Sequence, residues 1–520
     1  MRKANVAGFR GYLGKNGEAF LLIALAAAVY QPWNAPGLPI LDFSEFLPRL
    51  AGNSFWSGIR SVADYLASQG RFAPLQYVLV AFDWKAFGTE AAGWHWSYFA
   101  INSAVLLLAR RVLLKMGVRR SAAFVAVALW ALMKPFADCW LRPTGETIGL
   151  LFALSAFGIA LDYAARANPR RRALLLASCA FGMLLSKEIL VVLIPAIWLA
   201  ARLEKRDGAF RWAPWRRGDT ELIAALTTAI VLAAIPIAYV AHHASADSYA
   251  SRYGAGRISF ASALERFEIA FLPGREPLST LKRVWADPAW RLLLVLPNLI
   301  WVALIADGLA SPSARRNLWP IAIGVLWLFS GIVAYLPWPG HSAFYMVPFG
   351  FGMVIIAACA SSWLFERSES AGWTGIATAA LLVGLTAIEA RNAVRRHDLR
   401  VRLDSSIIAS VSRAATANEI VAAVPEPPAN AASWGWAKRL AEFGRAAKKL
   451  PVLRSRDISC AAVDSARAAN PRIIAVSEQE GCGIVVPQSE TIRVSTFERR
   501  WPWLLKVQPF YRTGYISPIR

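Results

Sequence analysis

The sequence predicts a polytopic α-helical membrane protein of about eleven transmembrane helices. Three observations predict it. The 520 residues are 56% hydrophobic and only 18% charged, with mean hydropathy +0.39, which excludes a purely soluble chain. Apolar runs recur through the first 388 residues, and the strongly basic connections fall on every second turn, the pattern that cytoplasmic loops impose. The net charge of +23 would also suit nucleic acid, so its placement decides its meaning.

Arg2, Lys3, Arg10 and Lys15 precede a first apolar run at 19–33. No small-residue cleavage site follows the run, so we read it as an uncleaved span with the amino terminus inside. Residues 34–93 form a large first extracytoplasmic loop with amphipathic stretches at 55–67 and 74–87. Further spans are predicted at 94–112, 121–138, 146–163, 173–186, 189–201, 221–240, 291–309, 318–337, 342–363 and 372–388. The basic turns are 110–120, 166–172, 202–217 and Arg315-Arg316. Eleven crossings put the loop 241–290 and everything from 389 outside, which is the periplasm of a bacterium. The expected domains are a transmembrane domain over residues 1–388 and a periplasmic domain over residues 389–520, in the bacterial inner membrane.

The stretch 173–201 is basic at both flanks and reads Ser186-Lys187-Glu188 at its centre, which a hairpin explains better than one tilted helix. Each arm then spans roughly 20 Å against a hydrocarbon core of about 30 Å. The Lys-Glu tip is therefore expected below the outer surface, where an ion costs about 2.5–3.5 kcal/mol unless it faces protein or water. A polar cavity open to the outside is implied. The tail is broken by Pro425, Pro427 and Pro428, with helix-like stretches at 399–417 and 433–449 and strand-like runs at 472–476, 483–486 and 491–496. It reads as a small α/β domain.

The charge divides along this topology. Cytoplasmic segments carry 22 Lys and Arg against 9 acids, the tail 21 against 12, and the other outward segments 14 against 13. The basic excess is mostly an orientation signal, and no nucleic-acid partner is expected. The tail's excess would suit anionic lipid head groups or an acidic glycan.

Several constellations can carry chemistry. Asp42, with Glu45 close behind, lies nine residues past the first span; an acid tethered there can act as an outward-facing general base or simply cap a short helix. Arg71, in Gly70-Arg71-Phe72-Ala73-Pro74-Leu75, offers a planar fork of donors for phosphate or snorkels at the interface. Lys134, Asp138, Arg142 and Glu146 share one short outward turn, lining a polar cavity or pairing among themselves. Lys187 is a point-charge phosphate binder that Glu188 would orient. His341, at the mouth of a late span, is a donor to phosphate or sugar or an interfacial histidine. His242-His243 lacks a third ligand at recognisable spacing, so no metal site is assigned. Cys460 and Cys482 would share the oxidising compartment and are able to pair.

In this order the features resemble the GT-C superfamily of integral membrane glycosyltransferases, particularly protein O-mannosyltransferases and bacterial lipid-A aminoarabinose transferases. The resemblance covers roughly residues 15–365 and makes the expected fold GT-C-like. Asp42 matches the family's proposed base, although the family often has two adjacent acids there. Gly70 to Leu75 is similar to its Arg-Pro-Leu element with Ala73 inserted before Pro74. Trp94-His95-Trp96 followed by Asn102 looks like its second span, with Asn102 where His is frequent, and Lys134-Pro135 stands where His-Pro is common. Leu184-Leu185-Ser186-Lys187-Glu188 matches its Leu-Ser-Lys-Glu tip, and Tyr345-Met346-Val347-Pro348 its late Tyr-x-x-Pro element.

The resemblance implies a sugar carried on a polyprenyl phosphate, transferred with inversion to a hydroxyl of a periplasmic or cell-envelope acceptor: glycan, lipid or protein. Asp42 would accept the acceptor's proton, with Glu45 assisting. Lys187 and Arg71, then Arg142 and His341, would hold the donor phosphate, supported by Glu188, Glu146 and Asp138. No cofactor beyond the lipid-linked donor is expected, and dependence on a divalent metal is left open. Rival readings are a flippase or transporter of lipid-linked sugars, for which paired broken helices and an internal repeat are expected, and an oligosaccharide ligase or polymerase.

Overall fold

The computed structural model describes residues 17–34, 37–38, 46–47, 49–142, 144–163, 168–206, 209–213, 217–243, 288–335, 343–414, 421–423, 452–453 and 474–476. The chain is mostly helical and forms two compact units. One comprises 1–32, 63–77 and 95–394, the other 33–62, 78–94 and 395–520.

The helices, in chain order, are α1 (Gly17–Tyr30), α2 (Phe55–Ser68), α3 (Pro74–Phe87), α4 (Ala91–Lys115), α5 (Arg120–Leu132), α6 (Lys134–Trp140) and α7 (Gly145–Ala160). Then come α8 (Pro169–Ser186), a 3-10 turn at Glu188–Leu193, α9 (Ile194–Ala201), α10 (Arg217–His243) and α11 (Pro288–Leu309). The series closes with α12 (Pro312–Arg316), α13 (Trp319–Tyr335), a 3-10 turn at Ala343–Met346, α14 (Val347–Arg367) and α15 (Glu369–Ala414). Among the described residues four helices are long and apolar enough to cross a membrane, or five counting one bent pair, and five shorter apolar helices accompany them.

In the first unit α14 is the central rod, with every residue from Val347 to Leu364 buried. It packs against α13, α11 and α5, while α7 and α10 pack on α8. Small residues allow the backbones to meet, as helix contacts in an apolar solvent require. A Cβ on Gly352 would overlap the Gly324 carbonyl oxygen of α13.

The predicted span 121–138 is not one straight helix. Its chain bends by 68° between α5 and α6. Pro135 has no N–H to give the Ala131 carbonyl one turn back. That oxygen instead accepts from the Tyr30 hydroxyl at 2.8 Å and the Trp140 indole at 3.4 Å, and Tyr30 stacks on Trp140 with ring centroids 4.6 Å apart. These contacts fasten α1 to both α5 and α6 across the bend.

Two further elements go beyond the expected ones. The basic connection 202–217 contains an antiparallel hairpin, β1 (Leu203–Arg206) with β2 (Ala209–Trp212), Leu203 opposite Trp212. It is clasped by the buried Arg202, which pairs with Asp219 and donates to the Ala213 carbonyl at 2.7 Å. The stretches 372–388 and 399–417 are not separate elements, because α15 runs through to Ala414. Residues 389–398 contain neither Gly nor Pro, so nothing in the backbone stops the helix.

In the second unit three short strands, β3 (Val421–Ala423), β4 (Val452–Leu453) and β5 (Ile474–Val476), form a parallel sheet in the order β4-β3-β5. Parallel neighbours need crossover connections. β5 falls within the strand expected at 472–476, whereas the helix expected at 433–449 and the strands at 483–486 and 491–496 lie outside the described residues, as do Cys460, Cys482 and most of the loop 241–290.

Candidate functional site

The site is built around the break after α8. Lys187 ends that helix in an extended conformation, φ −162° and ψ 116°, and Glu188 opens the 3-10 turn. The interruption falls at the charged tip anticipated in 173–201. The start of α7 packs directly on it. A Cβ on Gly145 would overlap the Ser186 carbonyl oxygen and lie 3.3 Å from Gln76 Oε1. This close approach brings the next residue, Glu146, within 3.6 Å of the Lys187 ammonium.

Glu146 is buried at 3% exposure, whereas Lys187 keeps 19%, so a ligand can reach the cation but not the acid behind it. Lys187 also lies 5.8 Å from the Tyr345 ring centroid, and Tyr345 is fixed by stacking on Tyr335 at 5.0 Å. A cation over an aromatic face gains electrostatic attraction without losing access to an anion.

The expected orientation of Lys187 by Glu188 is corrected: the acid that pairs with Lys187 is Glu146, on another helix. Consecutive side chains diverge from the backbone and do not face each other.

Arg71 is positioned by local chain geometry. Gly70 takes φ +71°, a left-handed conformation that glycine adopts without strain. It closes α2 with a Schellman motif, the Gly70 amide donating to the Ala67 carbonyl at 2.9 Å and the Arg71 amide to the Leu66 carbonyl at 2.8 Å. Pro74 then opens α3. One turn in, the buried Tyr77 hydroxyl accepts from the Ala73 amide at 2.8 Å and donates to the Arg71 carbonyl at 3.2 Å. Burial pushes this hydroxyl well above the usual tyrosine range; the Ala73 amide opposes the rise, nearby Glu188 adds to it and Arg71 opposes it.

In the turn before α7 the charges pair. Arg142 pairs with Asp138 at 3.5 Å, one turn back, and stacks over the Phe344 ring at 4.3 Å, while Glu146 reaches out of the turn to Lys187. Asn102 of α4 donates to the Tyr98 carbonyl at 2.9 Å and the Cys139 carbonyl at 3.0 Å, tying the second predicted span to the same turn.

Of the predicted site residues, Lys187 and Glu146 are in contact, the Arg71 carbonyl accepts from the Tyr77 hydroxyl, and Arg142 and Asp138 lie in the turn that precedes Glu146. Asp42, Glu45 and His341 lie outside the described residues. Sequence reasoning missed Tyr77 and Gln76. Their available signal was a tyrosine three residues into a Pro-started helix, directly after the arginine. Among the described residues no three His, Cys, Asp or Glu side chains gather to hold a metal ion.

The arrangement presents cations beside aromatic faces in an apolar bundle, suited to an anionic head group. No family model and no curated protein matches this sequence. Among solved structures the chain is similar to ArnT from Cupriavidus metallidurans bound to undecaprenyl phosphate, at 12% identity and TM-score 0.49, over 88% of this chain and 90% of that one. Its apo state gives 13% and 0.49, over 89% and 90%. The Archaeoglobus fulgidus oligosaccharyltransferase in the apo form gives 12% and 0.45, over 84% of this chain and 64% of that one.

Proposed function

We propose that the protein is a polyprenyl-phosphate-sugar-dependent glycosyltransferase of the inner membrane, with eleven spans and a cytoplasmic amino terminus. Its transmembrane domain covers residues 1–388 and its periplasmic α/β domain residues 389–520. The observation that carries the reading is the Lys187–Glu146 pair, 3.6 Å apart, at a break between apolar helices. Ionised groups in membrane-embedded helices are costly and mark substrate paths.

In the proposed reaction a hydroxyl of a periplasmic or cell-envelope acceptor attacks the anomeric carbon. Asp42 takes the hydroxyl proton, and Glu45 assists or binds the acceptor. The new bond joins acceptor oxygen to anomeric carbon; the bond to phosphate oxygen breaks, and its electron pair stays on the lipid phosphate. A single displacement inverts the configuration. Lys187 and Arg71 are the first choices to stabilise the departing phosphate, and Arg142 and His341 the second. Holding donor and acceptor together contributes by positioning.

Turnover by purified protein in lipid, with a short-chain polyprenyl-phosphate monosaccharide and a panel of hydroxyl acceptors, tests the reading. Transfer supports it and excludes a protein that only moves lipid-linked sugar across the bilayer. No transfer with any donor, beside measured transbilayer movement, overturns it in favour of the flippase.

Tyr77→Phe is expected to raise the donor KM several-fold with kcat nearly unchanged, because the ring stays while the clasp on the Arg71 backbone is lost. The buried Ala73 amide and Arg71 carbonyl lose a partner, at a cost of about 1–3 kcal/mol. Steady-state kinetics and thermal unfolding in detergent check both.

A further inference from the structure

We infer that Glu146 is a positioning residue that limits how tightly Lys187 holds the spent lipid phosphate, and so promotes product release. This rests on the reading of Lys187 as a phosphate-binding group. Glu146 Oε1 is fully buried and has no hydrogen-bond partner among the described residues. Its distance of 3.6 Å from Lys187 exceeds a charge-assisted hydrogen bond of about 2.7–2.9 Å. A buried carboxylate oxygen left without a hydrogen bond is costly, and a site that only had to attract anions would gain by omitting it.

The packing holds the carboxylate there. Gly145 abuts the Ser186 carbonyl, and a Cβ on Gly149 would overlap Leu190 and lie 3.3 Å from Ser186 Cβ. The start of α7 is therefore pressed against the break from two sides, which keeps Glu146 behind Lys187 rather than free to rotate to solvent.

The reaction explains what such an acid does. The donor is a phosphodiester with one negative charge. The product is a phosphomonoester with about 1.5 to 2 negative charges at neutral pH. A lone ammonium would therefore bind the product more tightly than the donor. A carboxylate fixed beside it repels both, and repels the more highly charged product more strongly.

The test is Glu146→Gln in nanodiscs of zwitterionic lipid, with a short-chain polyprenyl monophosphate as the probe. The inhibition constant of the monophosphate is expected to fall about 10- to 100-fold, donor KM to fall by less, and kcat to fall as release slows. Glu146→Asp is expected to restore most of the wild-type inhibition constant. If the amide variant does not fold, Glu146→Ala reads the same constant. An unchanged or raised inhibition constant in a folded Glu146 variant overturns the inference while the phosphate site stands, provided Lys187→Ala abolishes inhibition. If Lys187→Ala leaves inhibition as in the wild type, the phosphate site fails and the inference fails with it.

Discussion

Lys187→Ala is expected to lower kcat/KM for sugar transfer by about 10²–10³-fold, the loss typical when one preorganised stabiliser of developing negative charge is removed. The side chain combines three properties that make its charge effective. It sits at an extended residue between two helical segments, so its backbone is fixed. It is mostly buried, so water screens it little. It lies against Tyr345, which favours the cation without occupying its donors. Removing the lysine also strands Glu146, and breaking a buried pair costs about 3–5 kcal/mol. Activity must therefore be normalised to folded, monodisperse protein. Lys187→Gln, which keeps a hydrogen-bond donor and most of the volume, is expected to fold better and lose nearly as much activity. Lys187→Arg is expected to recover part of it, since the charge returns on a longer, planar group. A folded Lys187→Gln enzyme within twofold of wild type would remove Lys187 from the phosphate site.

The break at Lys187 was legible because a lysine and a glutamate interrupt an apolar run between basic flanks, a pattern that violates burial rules wherever the segment lies. The helices after the first apolar run were legible in extent, since α2 and α3 coincide with the stretches 55–67 and 74–87, but only α2 is clearly amphipathic. What stayed hidden depended on partners distant in sequence. The bend at Met133 is set by Pro135, but the Ala131 carbonyl it frees is held by the Tyr30 hydroxyl, 101 residues before Ala131. The choice of Glu146 over Glu188 as the partner of Lys187 depends on Gly145 letting α7 meet the Ser186 carbonyl. The β1–β2 hairpin was hidden for another reason. Four-residue strands are too short to establish a period, and its clasp joins Arg202 to Asp219 on the following helix.

Asp42→Asn is expected to reduce transfer by about 10²–10⁴-fold, the range attributed to a positioned general base. The substitution is nearly isosteric and removes only the ability to accept the proton of the attacking hydroxyl, so folding and donor affinity are expected to persist. Binding of a polyprenyl monophosphate to Asp42→Asn should therefore match wild type while kcat collapses, the opposite split from that expected of Tyr77→Phe. Glu45 is the internal control, because it is the next acid along the same loop and the chain between them is short. If Asp42 is the base, Glu45→Gln lowers the rate far less and acts mainly on acceptor KM. If the losses are exchanged, Glu45 is the base and Asp42 the acceptor contact. A pH profile separates a base from a contact: loss of the base removes the acidic limb of kcat/KM, whereas loss of a binding carboxylate lowers the whole curve and leaves that limb in place. Full transfer activity in Asp42→Asn at normal expression would exclude it from proton removal, and would leave Lys187 and Arg71 as a lipid-phosphate site in search of another base.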